Sequence, residues 1–257
     1  VVSGDHGIPG FPRAKCNLYD IGCEVALAAR WPGRIPAGRA IDDAVNLMDL
    51  APTFLDAAAV EIPDSMSGRS LLPVLESAEN GLVDEQRTFV VLGRERHVAT
   101  AREGFLPYPQ RAIRTKDFLY IYNFAPDRWP AGNPGGLDDS TVTPPSFAEL
   151  CKDTRAVYPD MDAGPTKAWM IHHRAEEAVQ PLFELGFGKR PQEELFDLRV
   201  DPHYMHNVAQ DSKYSDTRRQ LHEQLMRVLR EQNDPRLVEP DCRFEREPYI
   251  SAPQNNL

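Results

Sequence analysis

The chain opens with Val1-Val2-Ser3-Gly4-Asp5-His6-Gly7, and this stretch predicts both the fold class and the site. An apolar pair that leads into an acid and an imidazole between two glycines is typical of a buried strand ending at a sheet edge. Ligands collect at the carboxyl edge of the strands in open α/β sheets. Asp5 and His6 are therefore candidate metal ligands, and a carboxylate suits the hard cations calcium and magnesium.

Lys15 follows across a loop rich in proline and glycine, Pro9-Gly10-Phe11-Pro12. Such a loop can return a compact ammonium group to the anion that a metal would hold. We expect the carboxyl of Asp5 and the ring of His6 to face one another, with Lys15 at the same site. The plainer alternatives are a turn that Asp5 caps and a lysine that is simply solvated.

Composition narrows the class of protein. The chain has 257 residues, 41% of them hydrophobic, which is enough for a packed core in one large domain or two smaller ones. A formal charge of −10 argues against a nucleic-acid partner, since such a partner requires a basic face. No apolar run approaches the roughly 18 residues that a membrane helix needs, so we expect no membrane partner.

The chain divides into three predicted regions. Residues 1–80 form a first α/β domain, with strands at Val1–Ser3 and Glu24–Ala29 and a helix over Asp43–Ala59 that Pro52 kinks or divides. The polar stretch 76–86 is the predicted boundary. Residues 81–235 form a second domain, and residues 236–257 a tail.

Antiparallel strands joined by short turns are predicted for the second domain. The clearest is a hairpin of Arg111–Thr115 and Phe118–Tyr122 that turns at Lys116–Asp117. The other predicted elements are a strand at Thr88–Leu92, a long ordered loop or lid at 125–165, a helix at Ala168–Leu185, a strand at Glu194–Asp197, and a helix capped by Ser215 with Leu221, Leu225, Val228 and Leu229 on one face.

Linked motifs in the same order resemble the sulfatase family of the alkaline-phosphatase-like superfamily, whose metal-binding segment ends a core strand with Ser-Asp-Asn/His-Gly. The motifs that carry this resemblance are Asp5-His6-Gly7, Leu18-Tyr19-Asp20, Arg30-Trp31-Pro32-Gly33, Asp42-Asp43, Asp49-Leu50-Ala51-Pro52-Thr53 and Gly68-Arg69-Ser70-Leu71-Leu72-Pro73. Later motifs look like the heparan N-sulfatase (sulfamidase)-like branch, namely Glu95-Arg96-His97, Asp127-Arg128-Trp129-Pro130, Pro165-Thr166-Lys167 and Gly188-Lys189-Arg190-Pro191. The resemblance runs from Val1 to about Pro235. It implies the C-terminal end of an alkaline-phosphatase-like α/β sandwich, followed by a smaller α+β subdomain with an antiparallel sheet and a C-terminal helix.

One motif of that family is absent. Sulfatases attack with a formylglycine made from a Cys/Ser-x-Pro-x-Arg motif, and none of the four cysteines here is followed by that pattern. Ser65 has Arg69 but lacks the proline, and Ser251 has Pro253 but lacks the arginine. We therefore interpret the chain as the C-terminal part of a longer enzyme, whose N-terminal half supplies the formylglycine and the remaining metal ligands.

By resemblance, Lys15 is the catalytic residue of this part of the enzyme and also binds the substrate's sulfate, whose developing charge it neutralises. The segment that ends in Arg96 and His97 approaches the substrate mouth. His97 would contact the sugar or transfer a proton, and Arg96 would bind a carboxylate or sulfate. The alternative is an ion-paired surface turn.

Other polar groups give weaker signals. Lys167, Lys189 and Arg190 are either a cationic mouth for a polyanion or merely solvated loop residues. His172-His173 and the pair His203 and His206 suggest zinc, but a third ligand is not apparent, so we expect structural or surface roles. The cysteines at 16, 23, 151 and 242 favour reduced thiols over a Cys16–Cys23 disulfide.

The resemblance implies a metal-dependent hydrolase of sulfate esters or N-sulfate groups, acting on a sulfated small molecule or glycan, with this chain alone inactive. The implied ion is Ca²⁺, with Mg²⁺ as the alternative, and the implied location is periplasmic, extracellular or lysosomal. Two other functions stay open: a phosphodiesterase or phosphonate monoester hydrolase of the same superfamily, and a non-catalytic glycan-binding protein on a sulfatase-like scaffold.

Overall fold

A computed structural model describes residues 1–246, and the end of the predicted 236–257 tail, with Ser251 and Pro253, lies outside the described residues. The helices and strands, in chain order, are β1 (Val2–Ser3), α1 (Asp20–Cys23), β2 (Leu27–Ala28), α2 (Leu50–Ala57), α3 (Leu72–Glu76), β3 (Phe89–Arg94), β4 (Gln110–Thr115), β5 (Phe118–Asn123), α4 (Phe147–Leu150), α5 (Pro165–His172), α6 (Gln180–Phe187), β6 (Glu193–Asp197), α7 (Ser215–Glu231) and α8 (Pro235–Val238). Short 3-10 turns at Leu47–Asp49, Glu103–Phe105, Ser212–Tyr214 and Arg243–Glu245 complete the chain's helical structure within residues 1–246.

The larger sheet is antiparallel, in the order β3-β4-β5-β6. The predicted hairpin is confirmed, with Ile113 opposite Tyr120 and the turn at Lys116–Asp117. Successive residues of a strand face opposite sides of the sheet. The period-2 pattern of β4 and β5 therefore builds two apolar faces from one hairpin.

One face of this sheet is covered by α7. Ile113, Tyr120 and Leu195 pack there against Leu221 and Leu225 in one buried cluster. The helical spacing of leucines predicted this face, because positions three and four apart share one side of a helix. Ser215 is the first helical residue and not the cap, and Asp211 instead caps the 3-10 turn before α7 by accepting the N–H of Lys213.

The other face of the sheet is covered by the N-terminal segment. Leu18 and Tyr19 pack there with Leu119, Ile121 and Phe196. Tyr19 is fully buried, and its hydroxyl donates to the Glu194 carboxylate at 2.6 Å. This packing fixes the loop that carries Lys15 to the sheet and so positions the candidate site.

The first strand and the helix after the 125–165 loop are two of the predicted elements that differ in the structure. The strand at Val1–Ser3 pairs antiparallel with β2 as a two-stranded ribbon, but Val2 is 76% exposed, because nothing else within residues 1–246 covers it. The helix predicted over Ala168–Leu185 is divided into α5 and α6. Pro181 lies in the first turn of α6, where its missing N–H is tolerated, whereas in a continuous helix it would break a hydrogen bond.

The predicted 125–165 loop is ordered and contains one short helix, α4. Together with α5 and α6 it forms a third apolar cluster that includes Leu150, Tyr158, Ile171 and Phe187. None of the helices in the described part of the chain is long and apolar enough to cross a membrane. The boundary predicted at residues 76–86 stays a prediction.

Candidate active site

An open cavity of about 2240 Å³ lies between the N-terminal segment and the end of β3. Its lining includes all of the site residues predicted from the sequence, which are Asp5, His6, Lys15, Arg96 and His97. The fold thus brings a segment near residue 10 together with one near residue 96. Their chemical roles stay predictions, but their shared location is a finding.

The side chains of Asp5 and His6 approach one another in the lining of this cavity. The Nε2 atom of His6 lies 3.6 Å from Oδ2 of Asp5, and the Asp5 side chain is 90% exposed. The Nδ1 atom of His6 lies 2.7 Å from the carbonyl oxygen of Gly7. A carbonyl only accepts, so Nδ1 must carry the proton and donate.

Gly7 allows the loop after His6 to lie directly on α1. Its N–H donates to the carbonyl of Gly22 at 3.0 Å. A Cβ atom at position 7 would lie 2.1 Å from the carbonyl oxygen of Ile21, which no side chain can do. Glycine is therefore required here, and the close approach directs Asp5 and His6 to the cavity.

The loop after Gly7 closes on itself and returns Lys15. The N–H of Lys15 donates to the carbonyl of Ile8 at 3.1 Å. The ammonium group of Lys15 donates to Oδ2 of Asp162 at 3.0 Å, with about a quarter of each side chain exposed. Lys15 is thus a held cation at the cavity wall, and Asp162 comes from the 125–165 loop.

The same loop buries a second carboxylate behind the cavity wall. The side chain of Asp160 is fully buried, and its Oδ2 accepts from Arg94 at 2.7 Å and from Arg102 at 2.6 Å. Its Oδ1 accepts the N–H of Val98 at 2.8 Å. Burial alone would raise the pKa of Asp160, but the two guanidinium groups outweigh it and hold that pKa below its usual value. The carboxylate therefore stays ionised and fixes the chain on both sides of His97.

His97 is exposed and reaches the cavity between these fixed points. Partial desolvation of the ring lowers its pKa, and the nearby cations Lys15 and Arg94 lower it further. The carboxylates of Asp160 and Asp162 act in the opposite direction. A neutral imidazole near neutral pH can accept a proton or a hydroxyl hydrogen.

Arg96 lines the cavity but is engaged with the backbone. Its Nε donates to the carbonyl of Phe105 at 2.8 Å, and its Nη2 donates to the carbonyl of Phe244 at 2.6 Å. These contacts make Arg96 a brace between two loops in this structure. Binding of an anion by Arg96 stays a prediction.

Neither of the two alternatives, a cationic mouth or solvated loop residues, holds for Lys167 and Arg190, which are buried. Lys167 is fully buried and donates to the carbonyls of Thr154, Tyr158 and Met161, at 3.1, 3.1 and 2.9 Å. Arg190 is buried against backbone carbonyls of α6, and Lys189 lies over the ring of Trp129 at 5.0 Å. Lys167 and Arg190 serve packing, because backbone carbonyls of the loop and of α6 require donors, whereas Lys189 stays exposed.

The remaining histidines and the cysteines do not gather into one cluster in the described chain. His172, His203 and His206 are exposed, and His173 pairs with Glu176 at 2.6 Å. Across residues 1–246, His, Cys, Asp and Glu side chains form no group of three that could hold a metal ion. All four cysteines are free thiols.

Sequence reasoning missed Asp160 and Asp162. Both lie in Tyr158-Pro159-Asp160-Met161-Asp162, within a loop whose many acids and prolines lack any period. Only the chain's path brings them to Lys15 and Arg94. The one sequence signal for a buried acid here is the alternation of aspartate with apolar residues within a long loop.

Comparisons with known proteins show what the chain is similar to. Residues 5–97 match the sequence-family model of N-sulphoglucosamine sulphohydrolase, C-terminal, a range that runs from Asp5 to His97. The chain is 27% identical to N-sulphoglucosamine sulphohydrolase of Homo sapiens over 251 residues, covering 94% of this chain and 43% of the relative. It is 26% identical to an ulvan-active sulfatase of Formosa agariphila over 234 residues, covering 91% of this chain and 38% of the relative.

Among solved structures, BT4656 in complex with its substrate D-glucosamine-2-N,6-O-disulfate has a TM-score of 0.53 and 21% identity. The match covers 87% of this chain and 31% of that one, and at this identity it supports the fold alone. This chain spans about two fifths of the length of the curated relatives it matches. The chain therefore contains a C-terminal region of the sulfatase family, close to that of N-sulphoglucosamine sulphohydrolase.

Proposed function

We propose that this chain is the C-terminal part of a metal-dependent sulfatase that removes sulfate from O-sulfate esters or N-sulfate groups of a sulfated glycan. The observation that carries the proposal is the pairing of Asp5 with His6 at a cavity that also holds Lys15 and His97. An acid, an imidazole and a held cation at one cavity are suited to an anionic ester.

Asp5 and His6 fit part of a cation site. The Nδ1 of His6 donates to the Gly7 carbonyl, so the lone pair of Nε2 faces the Asp5 carboxylate at 3.6 Å. Two acceptors in this position repel unless a cation lies between them or the ring takes a second proton. A histidine that donates its other N–H to a backbone carbonyl is also the usual arrangement of a metal ligand.

Calcium, with magnesium as the alternative, would be held by Oδ2 of Asp5 and Nε2 of His6 together with ligands from polypeptide outside this chain. When bound, such an ion polarises the sulfate oxygens and neutralises their charge. Two ligands are too few for either ion, which takes six or more. The proposal therefore requires a complementary segment.

Lys15 would donate to a sulfate oxygen and stabilise the negative charge that develops during hydrolysis. The ion pair with Asp162 holds the ammonium group at the cavity wall. His97, mainly neutral, would accept a hydrogen bond from a sugar hydroxyl or move a proton at the leaving group. Asp160 and Arg94 hold the loop that presents it.

The nucleophile is proposed to come from outside this chain, as a formylglycine, since the sequence lacks Cys/Ser-x-Pro-x-Arg. The sulfated-glycan substrate is supported by the relatives' names, sulphoglucosamine sulphohydrolase and ulvan-active sulfatase. A periplasmic, extracellular or lysosomal location is part of the same proposal.

Sulfate release measures the proposal directly. The chain alone should release no sulfate from glucosamine-2-N-sulfate or an aryl sulfate. Coexpression with a sulfatase N-terminal half that carries Cys/Ser-x-Pro-x-Arg should restore release in the presence of calcium. Turnover by the isolated chain at a normal rate would contradict the proposal.

Matched variants assign the activity to the site. Asp5→Asn and His6→Ala should abolish the restored release, whereas Asp64→Asn, at an exposed acid outside the cavity, should not change it. Faster hydrolysis of a phosphate diester or phosphonate ester than of a sulfate would favour the phosphoryl-transfer alternative. Sugar binding without any turnover would favour the glycan-binding alternative.

A further inference from the structure

The segment from Asp234 to Arg246, here called the C-terminal clasp, returns to the candidate cavity. It contains α8 and the 3-10 turn at Arg243–Glu245. Arg243, Phe244 and Arg246 line the same cavity as His97. None of these three residues belongs to the part of the chain that matches the family model, which ends at position 97.

The clasp is anchored at the end of β3 by a two-pronged ion pair. Nη2 and Nε of Arg236 donate to the two carboxylate oxygens of Glu95, at 2.5 and 3.1 Å. Nη1 of Arg236 donates to Glu245 at 2.5 Å, and the Arg236 side chain is only 8% exposed. Planar guanidinium groups favour such paired contacts, so Arg236 fixes both ends of the clasp.

Further ion pairs extend the anchor. Arg111, on β4, donates to Glu95 at 2.8 Å and to Asp234 at 2.6 Å. Arg128 donates to Glu245 at 3.0 Å. Removing one member of a buried ion pair leaves an uncompensated charge, so the network strongly resists displacement of the clasp. Glu95 lies two residues before His97, and the clasp is therefore a fixed wall of the site.

The clasp presents two accessible guanidinium groups. Arg243 is 67% exposed and Arg246 is 55% exposed. Arg246 pairs with Asp241 at 3.2 Å at the surface, where such a pair contributes little to stability and is readily exchanged for another anion. Among residues 1–246, Arg243 uses Nε and Nη2 for Glu239, which leaves its Nη1 donors for a ligand. Phe244, half-buried between them, offers an apolar surface to a sugar ring.

We propose that Arg243 and Arg246 bind an anionic group, a carboxylate or a sulfate, on the sugar next to the one that loses its sulfate. The clasp then selects an extended acidic glycan over a single sulfated sugar. This inference rests on the proposed function and names the substrate class for that site. In a chain of formal charge −10, a local pair of guanidinium groups is where an anion would be held.

Calorimetry on the 257-residue chain, with calcium present, measures this binding preference and does not require the chain to turn over a substrate. The probes are glucosamine-2-N-sulfate, a uronic acid–glucosamine-2-N-sulfate disaccharide, a disaccharide with a neutral first sugar, and one whose first sugar carries a sulfate but no carboxylate. The chain should bind an acidic disaccharide about tenfold more tightly than the neutral one, as one charge-assisted contact would give. The uronic acid disaccharide and the one with a sulfated first sugar tell carboxylate from sulfate as the bound group.

The double variant Arg243→Ala/Arg246→Ala should lose that preference and bind the monosaccharide as before. Arg219→Ala, an exposed ion-paired arginine on α7, is the matched control and should keep the preference. A double variant that weakens both classes of ligand equally, or neither, would overturn the inference. So would a wild-type chain that does not distinguish the acidic from the neutral disaccharides.

A second variant tests the position of the clasp. Arg236→Gln removes the paired hydrogen bonds to the Glu95 carboxylate and should reduce the preference for acidic disaccharides. A lower unfolding temperature with the preference intact would show that the anchored position is irrelevant and would overturn the inference. Sulfate release by the reconstituted enzyme is a separate measurement, so a failed proposed function and a failed clasp are distinguishable.

Discussion

The ammonium group of Lys15 and the carboxylate of Asp162 lie 3.0 Å apart, although 147 residues separate them along the chain. The pair joins the N-terminal loop to the 125–165 loop at the cavity wall. Both side chains are about one quarter exposed, so the pair contributes little to the free energy of unfolding. The function of the pair is to orient the ammonium group of Lys15 at the cavity wall.

Replacement of Lys15 should therefore affect turnover more than stability. In the reconstituted enzyme, Lys15→Ala should lower kcat about a hundredfold, equivalent to about 3 kcal/mol of barrier, because a preorganised cation is lost from the transition state. The free energy of unfolding should change by less than about 1 kcal/mol. Steady-state kinetics and urea unfolding measure the two effects, and an unchanged kcat would remove Lys15 from the mechanism.

The titration of His97 should respond in opposite directions to the two members of this pair. Lys15→Met removes a neighbouring cation and should raise the pKa of His97. Asp162→Asn removes a carboxylate and should lower the same pKa. NMR titration of the imidazole protons gives both shifts, and shifts of equal sign would mean that His97 does not lie near both groups.

Lys167 is predicted to be a structural residue of the 125–165 loop. Lys167→Met removes the ammonium donor from the carbonyls of Thr154 and Met161 and one of two donors from that of Tyr158, and should lower the free energy of unfolding by about 2–5 kcal/mol. Burial lowers the pKa of Lys167 to about 8, consistent with its enclosure. Lys152→Met, at an exposed position on the same loop, should stay within about 0.5 kcal/mol of wild type in the same urea experiment.

Cys16 should be an unreactive thiol at neutral pH. Burial raises its pKa to about 11, and the thiol donates to the carbonyl of Asp160 at 2.9 Å. Only the thiolate reacts with iodoacetamide, so the alkylation rate at Cys16 should rise about tenfold per pH unit between pH 8 and 10. Peptide mapping by mass spectrometry follows this residue alone, and a rate that levels off below pH 10 would contradict the assignment.

The elements that sequence predicted correctly are those with local periodicity. The β4–β5 hairpin follows from alternating residues around Lys116–Asp117, and α7 follows from leucines at helical spacing. Each pattern reports directly on one buried face. The prediction that Asp5, His6, Lys15 and His97 share one site came from linked motifs and not from any single residue.

What sequence did not predict depends on contacts between distant segments. Asp160 is recognisable as a buried hub only once Arg94, Arg102 and Val98 are seen around it. The exposure of Val2 likewise depends on which polypeptide packs against β1. Lys167 and Arg190 look like a cationic mouth in sequence because a one-dimensional pattern does not distinguish solvated from buried cations.

The ion pair between Glu95 and Arg236 joins residues 141 positions apart. A ribosome therefore makes the strand bearing Glu95 long before its partner emerges. In the nascent polypeptide this rim of the cavity cannot close until α8, which carries Arg236, has also been made, so the rim is assembled after the four strands of the larger sheet have been synthesised.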